Sequence, residues 1–109
     1  MNYWHQEYAE SGRWNRFDFI NQMANIGSEV FRTINWRKKD KKLGQDAFFR
    51  SLELVDFTIQ DKKNRSRLKE LLYLRELWTD FNFANSYDST PEFFEKYFYA
   101  FNYAARINL

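Results

Sequence analysis

The sequence predicts an all-α protein, an antiparallel up-down four-helix bundle, from three observations. Helix-breaking residues are scarce, because the 109 residues include one proline and three glycines. Apolar residues recur at intervals of three and four in four successive segments, which is the periodicity of an amphipathic helix. The connections between these segments are short, and short connections favour antiparallel neighbours. We therefore expect a single helical domain over residues 1–109.

The first helix is predicted over residues 14–38. Its apolar stripe contains a glycine, Gly27, which indicates that another helix crosses closely at this point. Residues 1–13 form an N-terminal segment in which Trp4 and Tyr8 are four apart and are expected to share one face of a short helix. The members of the stripe are Ile20, Met23, Ala24, Gly27, Val30, Phe31 and Ile34.

Three further helices are predicted over residues 45–61, 64–81 and 90–107. The last begins at "STPE", where Ser89 or Thr90 can cap the helix and Pro91 suits its first turn. The polar loop before it, residues 82–90, is expected at the same end of the bundle as residues 39–44. Asn82, Asn85, Tyr87 and Asp88 in this loop form a small binding surface or satisfy the helix ends. The apolar residues of the second and third helices are Phe48, Leu52, Val55, Ile59, Leu68, Leu71, Leu72, Leu74 and Trp78.

The composition excludes several chemistries. The chain has no cysteine, so it has no disulfide, zinc–thiolate site or thiol nucleophile. Its single histidine, His5, excludes the usual Ser-His-Asp systems and the paired Glu-x-x-His motifs of di-iron bundles. The common phosphate-binding glycine motifs are absent. We expect no cofactor.

The location predicted from the sequence is the cytoplasm, with no membrane contact. No apolar run approaches the roughly 18 residues that a spanning helix needs. The first residues, "MNYWHQEYAESGR", lack the basic and apolar regions of a secretory signal.

Basic residues are concentrated in two clusters, residues 32–42 with six and residues 62–69 with five of the 17 Lys and Arg. They complement helix dipoles and keep the loops solvated, or they bind phosphate. A net charge of +2 does not by itself indicate a nucleic-acid partner. The residues predicted as anion or phosphate contacts are Arg32, Arg37, Lys38, Lys39, Lys41, Lys42 and Arg75.

Aromatic side chains make up 21% of the chain, and several fall outside the apolar faces of their helices. In "EKYFYAFNYAAR", residues 95–106, Tyr99 and Tyr103 lie opposite the core face. We expect Trp4 and Tyr8 to cover them; alternatively, they contact a second copy of the chain or stack on a nucleobase. The predicted interaction surface comprises Trp36, Phe49, Phe57, Tyr99 and Tyr103.

Two charged features of the helices have alternative interpretations. Arg75 lies on the apolar side of its helix, so it forms a buried salt bridge with Asp56 or Glu29, or it binds an anionic ligand. Glu53 and Asp56 are three apart in "ELVD" and share one face, which suits Mg²⁺ or a solvated surface.

"ELVD" resembles half of the signature of the all-α nucleotide pyrophosphohydrolases, which hydrolyse nucleoside triphosphates with Mg²⁺. The resemblance implies that Glu53 and Asp56 are metal ligands. The family's upstream ExxE is absent here, because the residue three positions after Glu29 is Arg32.

The runs "SEVFR", "WRKKD", "AFFRSLELVDFTI", "RLKELLYLRELW" and "YFYAFNYAAR" resemble a family of small, uncharacterised all-helical prokaryotic proteins. That resemblance implies a fold and no activity. The chain is also similar to HEPN-type helical bundles, which include toxin ribonucleases. It lacks their R-x4-6-H motif, so this similarity implies a binding role without catalysis.

The function predicted from the sequence is a non-enzymatic helical interaction module that forms a homodimer. One alternative is a HEPN-like nucleic-acid-binding protein that uses its basic helix ends. The other is a Mg²⁺-dependent nucleotide phosphohydrolase.

Overall fold

The computed structural model describes residues 4–107, and all regular structure within that range is helical. This confirms the all-α prediction. Two 3₁₀ turns, Arg13–Arg16 and Lys62–Arg67, accompany the α-helices. The α-helices are α1 Gln6–Ser11, α2 Phe19–Trp36, α3 Lys41–Gln60, α4 Leu68–Asn82 and α5 Pro91–Ile107.

Helix α2 is the centre of the fold, because it packs against α3 on one side and α5 on the other. Helix α4 packs against α3. It also meets α5 through aromatic side chains, with the Trp78 and Phe94 ring centroids 4.9 Å apart. The buried core draws on α2–α5 and on the turn before α2, which contributes Trp14.

Two helices begin at residues that the sequence analysis did not identify. Helix α2 begins at Phe19 because Asp18 caps it, accepting a hydrogen bond from the Asn21 amide at 2.8 Å. Helix α3 begins at Lys41 because the Asp40 carboxylate accepts from the amides of Lys42 and Leu43. The connection between α2 and α3 is therefore shorter than the predicted loop over residues 39–44.

The later boundaries follow the sequence signals more closely. Residues 64–67, predicted as helix, belong to the 3₁₀ turn, and α4 begins at Leu68. Helix α5 begins at Pro91, and the Thr90 hydroxyl accepts from the Phe93 amide at 3.3 Å. The "STPE" prediction is confirmed to within one residue.

The crossing of α2 and α5 occurs at Gly27, as predicted from the sequence. A Cβ atom at this position would lie 3.0 Å from Phe98 Cβ and 2.5 Å from Asn102 Oδ1. Asn102 also donates from Nδ2 to the Ala24 carbonyl oxygen at 3.2 Å. Only a residue without a side chain fits between these helices at the observed distance.

A buried polar network joins the turn before α2 to the end of α3. Gln22 is fully buried and donates to the Trp14 carbonyl at 3.1 Å and to Asp61 Oδ2 at 2.9 Å. Its side-chain oxygen accepts from Asn64 Nδ2 at 2.8 Å. Burial alone raises the pKa of Asp61, but hydrogen bonds from Lys63 and Gln22 outweigh it and leave the pKa below its ordinary value. The network therefore fixes both 3₁₀ turns on α2.

The N-terminal segment, from Trp4 onwards, docks on α3 and on the turn before α2. Glu53 accepts a hydrogen bond from the Trp4 amide at 2.8 Å, and its Oε1 lies 3.0 Å from His5 Nδ1. The Tyr8 ring packs against the rings of Trp14 and Phe17. Trp4 and Tyr8 therefore do not cover the α5 tyrosines, and that expectation is wrong.

Candidate binding surfaces

The two acidic residues of "ELVD" are each engaged by another element. Glu53 binds the N-terminal segment, and Asp56 pairs with Arg75. Within the part of the chain that the structure describes, no three His, Asp or Glu side chains lie close enough together to hold a metal ion. The geometry gives both carboxylates structural contacts.

Arg75 pairs with Asp56, one of its two predicted partners. Its Nε lies 2.7 Å from Asp56 Oδ1, and a second nitrogen lies 3.4 Å from Oδ2. The hydrogen bond to Asp56 raises the pKa of Arg75. The pair is not buried as expected, because the side chains are 40% and 42% exposed. A surface pair of this kind contributes at most about 1 kcal/mol.

Glu29 on α2 is a second buried carboxylate, besides Asp61. Its carboxylate accepts hydrogen bonds from Arg32 on the same helix and from Arg50 on α3. Arg32, predicted as an anion contact, is thus paired within the fold. Lys42 is also paired, with Asp46 at 2.8 Å.

The remaining basic residues of the first cluster keep their charges unpaired. Among residues 4–107, Arg37, Lys38, Lys39 and Lys41 have no carboxylate within ion-pair distance. The Arg37 guanidinium lies over the Phe81 ring, 4.6 Å from its centroid. This corner of the molecule therefore carries four cations available to a ligand or to solvent.

A cavity of about 370 Å³, named here the end pocket, opens at the same corner. The end of α4 and the start of α3 both line this cavity. The 82–90 loop therefore begins at the same end of the molecule as residues 39–44, as predicted from the sequence. Gly44 lets the start of α3 lie close to the end of α2, because a Cβ there would lie 2.9 Å from the Arg37 backbone. The lining residues are Thr33, Arg37, Lys41, Gly44, Gln45, Phe48, Phe49, Asn82 and Phe83.

A second surface, named here the tyrosine face, runs along the outside of α5 and comprises Tyr99, Ala100, Tyr103 and Ile107. Tyr99 and Tyr103 are 61% and 53% exposed. Their rings stack on each other, with centroids 6.4 Å apart and planes 24° apart. The outward position of both tyrosines, predicted from helical periodicity, is confirmed.

The other predicted interaction residues separate into two groups. Trp36 is exposed at the end of α2, and Phe49 lies in the end pocket. Phe57 is partly buried and packs against the core, which corrects its placement on an outer surface. Phe83, which no sequence pattern indicated, is 68% exposed and follows α4 directly.

The loop after α4 satisfies its own polar groups. The Asp80 carboxylate accepts from the amides of Ser86 at 2.9 Å and Tyr87 at 3.0 Å. The Tyr87 hydroxyl donates to Glu76, and this hydrogen bond raises the pKa of Tyr87. Asn85 Oδ1 accepts from the Ser89 amide at 2.9 Å. These contacts support the expectation that the polar loop residues satisfy the helix ends.

Comparison with known proteins found no relative of this chain. No protein-family model, curated protein or solved structure matches the chain. The resemblances to small helical prokaryotic proteins and to HEPN-type bundles stay predictions. Over the described residues, no helix is both long enough and apolar enough to cross a membrane.

Proposed function

We propose that the chain is a non-enzymatic interaction module that forms a homodimer by pairing the tyrosine faces of two copies. The observation that carries the proposal is the pair of stacked, exposed rings of Tyr99 and Tyr103. Aromatic residues are enriched at the centres of protein interfaces, where tyrosine contributes a large contact area at low entropic cost. Ala100, beside the two tyrosines, is also exposed and adds a small side chain to the face.

Charge along α5 favours an antiparallel pair. The first half of the helix carries Glu92, Glu95 and Lys96, and the second half carries Arg106. An antiparallel arrangement brings the net negative half of one helix to Arg106 of the partner subunit. A parallel arrangement places like charges together, which is unfavourable.

A recess beside the tyrosine face fits this arrangement. Phe31, Asn35, Glu95 and Tyr99 line a cavity of about 220 Å³ between α2 and α5. Its one charged group is the Glu95 carboxylate. In the proposed dimer, the recess receives Arg106 of the partner subunit.

The architecture we propose for each subunit is the antiparallel up-down four-helix bundle of α2–α5. Contacts between consecutive helices support it, since Arg50 on α3 meets Glu29 on α2 and Arg75 on α4 meets Asp56 on α3. In such a bundle, α5 packs against α2 and leaves the tyrosine face on the outside.

We expect Ala100→Arg to convert the dimer to a monomer, because it adds a long charged side chain to the tyrosine face. Ala84→Arg, a matched change at an exposed alanine after α4, is expected to leave the mass unchanged. Light scattering coupled to size exclusion measures both masses, and circular dichroism checks that each variant is folded. A dimeric Ala100→Arg protein contradicts the proposed interface.

Nucleic-acid binding is a second candidate function, favoured by the unpaired charges of Lys38, Lys39 and Lys41. We expect single-stranded RNA to bind with an affinity that falls steeply as salt rises, since bound phosphates release counterions. Replacing Lys38 and Lys39 with alanine is expected to reduce the slope of log K against log salt by about 1.4, at about 0.7 for each phosphate contact of a single strand. The matched control pair, Lys62→Ala with Lys69→Ala, removes one cation from the turn before α4 and one from α4 itself, and is expected to leave this slope unchanged. Binding that is insensitive to both salt and Lys38/Lys39 rules this candidate out.

A further inference from the structure

The end pocket has features that the fold itself does not use. Its two cations, Arg37 and Lys41, have no carboxylate partner among residues 4–107. Two of its rings, Phe49 and Phe83, are 41% and 68% exposed. Exposed phenylalanines beside unpaired cations, around one concave site, are characteristic of a binding pocket.

Arg37 is held in position for an anion. The Arg37 guanidinium lies over the Phe81 ring, 4.6 Å from the ring centroid, and the Arg37 backbone packs against Gly44. A stacked guanidinium loses little further freedom when its N–H groups bind an oxyanion. Lys41, the first residue of α3, supplies a second positive charge to the same cavity.

The positive charge of the pocket comes from these side chains and not from the helix terminus. Asp40 already accepts from two of the first free amides of α3, those of Lys42 and Leu43. An anion therefore has Arg37 and Lys41 as its partners. Two cations suit a phosphate, which carries close to two negative charges at neutral pH.

The remaining walls suit a flat heteroaromatic ring. Phe48 lies 5.5 Å from both Phe49 and Phe83, measured between ring centroids, so the three rings form a continuous aromatic wall. Gln45 and Asn82 add carboxamide groups to the lining. Asn82 uses Nδ2 to donate to the Trp78 carbonyl at 2.8 Å. Its side-chain oxygen is left to accept from the polar edge of a base.

We propose that the end pocket binds a nucleoside phosphate, with the base against Phe49 and Phe83 and the phosphate on Arg37 and Lys41. The volume of about 370 Å³ falls in the range of small-molecule sites. This nucleoside phosphate is either a free mononucleotide or the 5′-phosphorylated end of a single strand, since both present the same base and phosphate. The pocket shares no lining residue with the tyrosine face, so the proposal does not rest on the homodimer.

Titration calorimetry with adenosine 5′-monophosphate, adenosine and inorganic phosphate tests the proposal on the full chain. We expect the nucleotide to bind at least about tenfold more tightly than either fragment, since both parts of the pocket contribute. Lys41→Ala and Phe83→Ala are each expected to weaken nucleotide binding about tenfold. Lys69→Ala and Tyr73→Ala, exposed positions on α4, are the matched controls and are expected to change it less than twofold.

Two oligonucleotides of the same sequence, with and without a 5′-phosphate, identify the source. If the strand binds more tightly than the mononucleotide, and does so only when it is phosphorylated, the pocket is assigned to strand ends. If the phosphorylated strand and the mononucleotide bind with equal affinity, the pocket is assigned to free nucleotides. Melting temperatures confirm that each variant is folded. The proposal is overturned if inorganic phosphate or adenosine binds as tightly as the nucleotide. It is also overturned if folded Lys41→Ala and Phe83→Ala bind like the unmodified chain, or if no nucleotide saturates the protein at millimolar concentration.

Discussion

Replacing Gln22 with leucine is expected to lower the free energy of unfolding by about 3 kcal/mol. Gln22 is fully buried, and its amide makes three hydrogen bonds, to the Trp14 carbonyl, Asp61 and Asn64. Leucine has a similar volume, so the loss comes from buried polar groups left with fewer partners, at about 1–3 kcal/mol for each unsatisfied group. Urea denaturation at a fixed protein concentration measures the difference.

Gln60→Leu is the matched control for this change. Gln60 is exposed at the end of α3, so the same substitution is expected to alter stability by no more than about 0.5 kcal/mol. A Gln22→Leu protein as stable as the Gln60→Leu protein contradicts a stabilising role for the network.

Gly27→Ala is expected to destabilise the protein by about 1–3 kcal/mol, the usual cost of overpacking a core. The sign is informative, because alanine in place of glycine ordinarily stabilises a helix interior by about 1 kcal/mol. Here the added methyl group meets Phe98 Cβ at 3.0 Å, and that atom is fixed to the α5 backbone. The helices must therefore move apart.

The double variant Gly27→Ala with Asn102→Ala separates the two contacts at this crossing. Asn102 Oδ1 lies nearer to the added methyl group, but it belongs to a side chain that can rotate. We expect the double variant to stay less stable than Asn102→Ala alone in the same urea experiment. A Gly27→Ala protein that is more stable than the unmodified chain contradicts the close approach of α2 and α5 at this crossing.

Helix content and the faces of the helices were predictable because they depend on local sequence. The 3-4 spacing around Phe98 and Phe101 placed Tyr99 and Tyr103 on the outside of α5, and both are exposed. Gly27 was interpretable for the same reason, since a glycine inside an apolar stripe has a packing purpose. The helix starts were less predictable, because Asp18 and Asp40 act as caps within charged or aromatic runs that give no separate signal.

The end pocket was not predictable, because it joins residues 33–49 to Asn82 and Phe83, which are distant in sequence. Arg37 and Phe49 were each identified as candidates, but nothing in the sequence places Phe83 beside them. The exposure of the Arg75 ion pair was not predictable from the sequence either. Its partner Asp56 was among the two candidates, yet the exposure of the pair depends on how α3 and α4 pack and not on periodicity.

The antiparallel pairing of tyrosine faces is tested most directly by reversing charges at the two ends of α5. Glu95 and Arg106 are about 16 Å apart along one helix at 1.5 Å per residue, so they meet only between subunits. Sedimentation equilibrium at tens of micromolar is expected to give twice the 13.5 kDa chain mass for the unmodified protein. We expect Glu95→Arg alone and Arg106→Glu alone to shift the population towards monomer, and the double reversal to restore the dimer. An unmodified chain that sediments as a monomer, or a double reversal that dissociates further than either single change, contradicts the account.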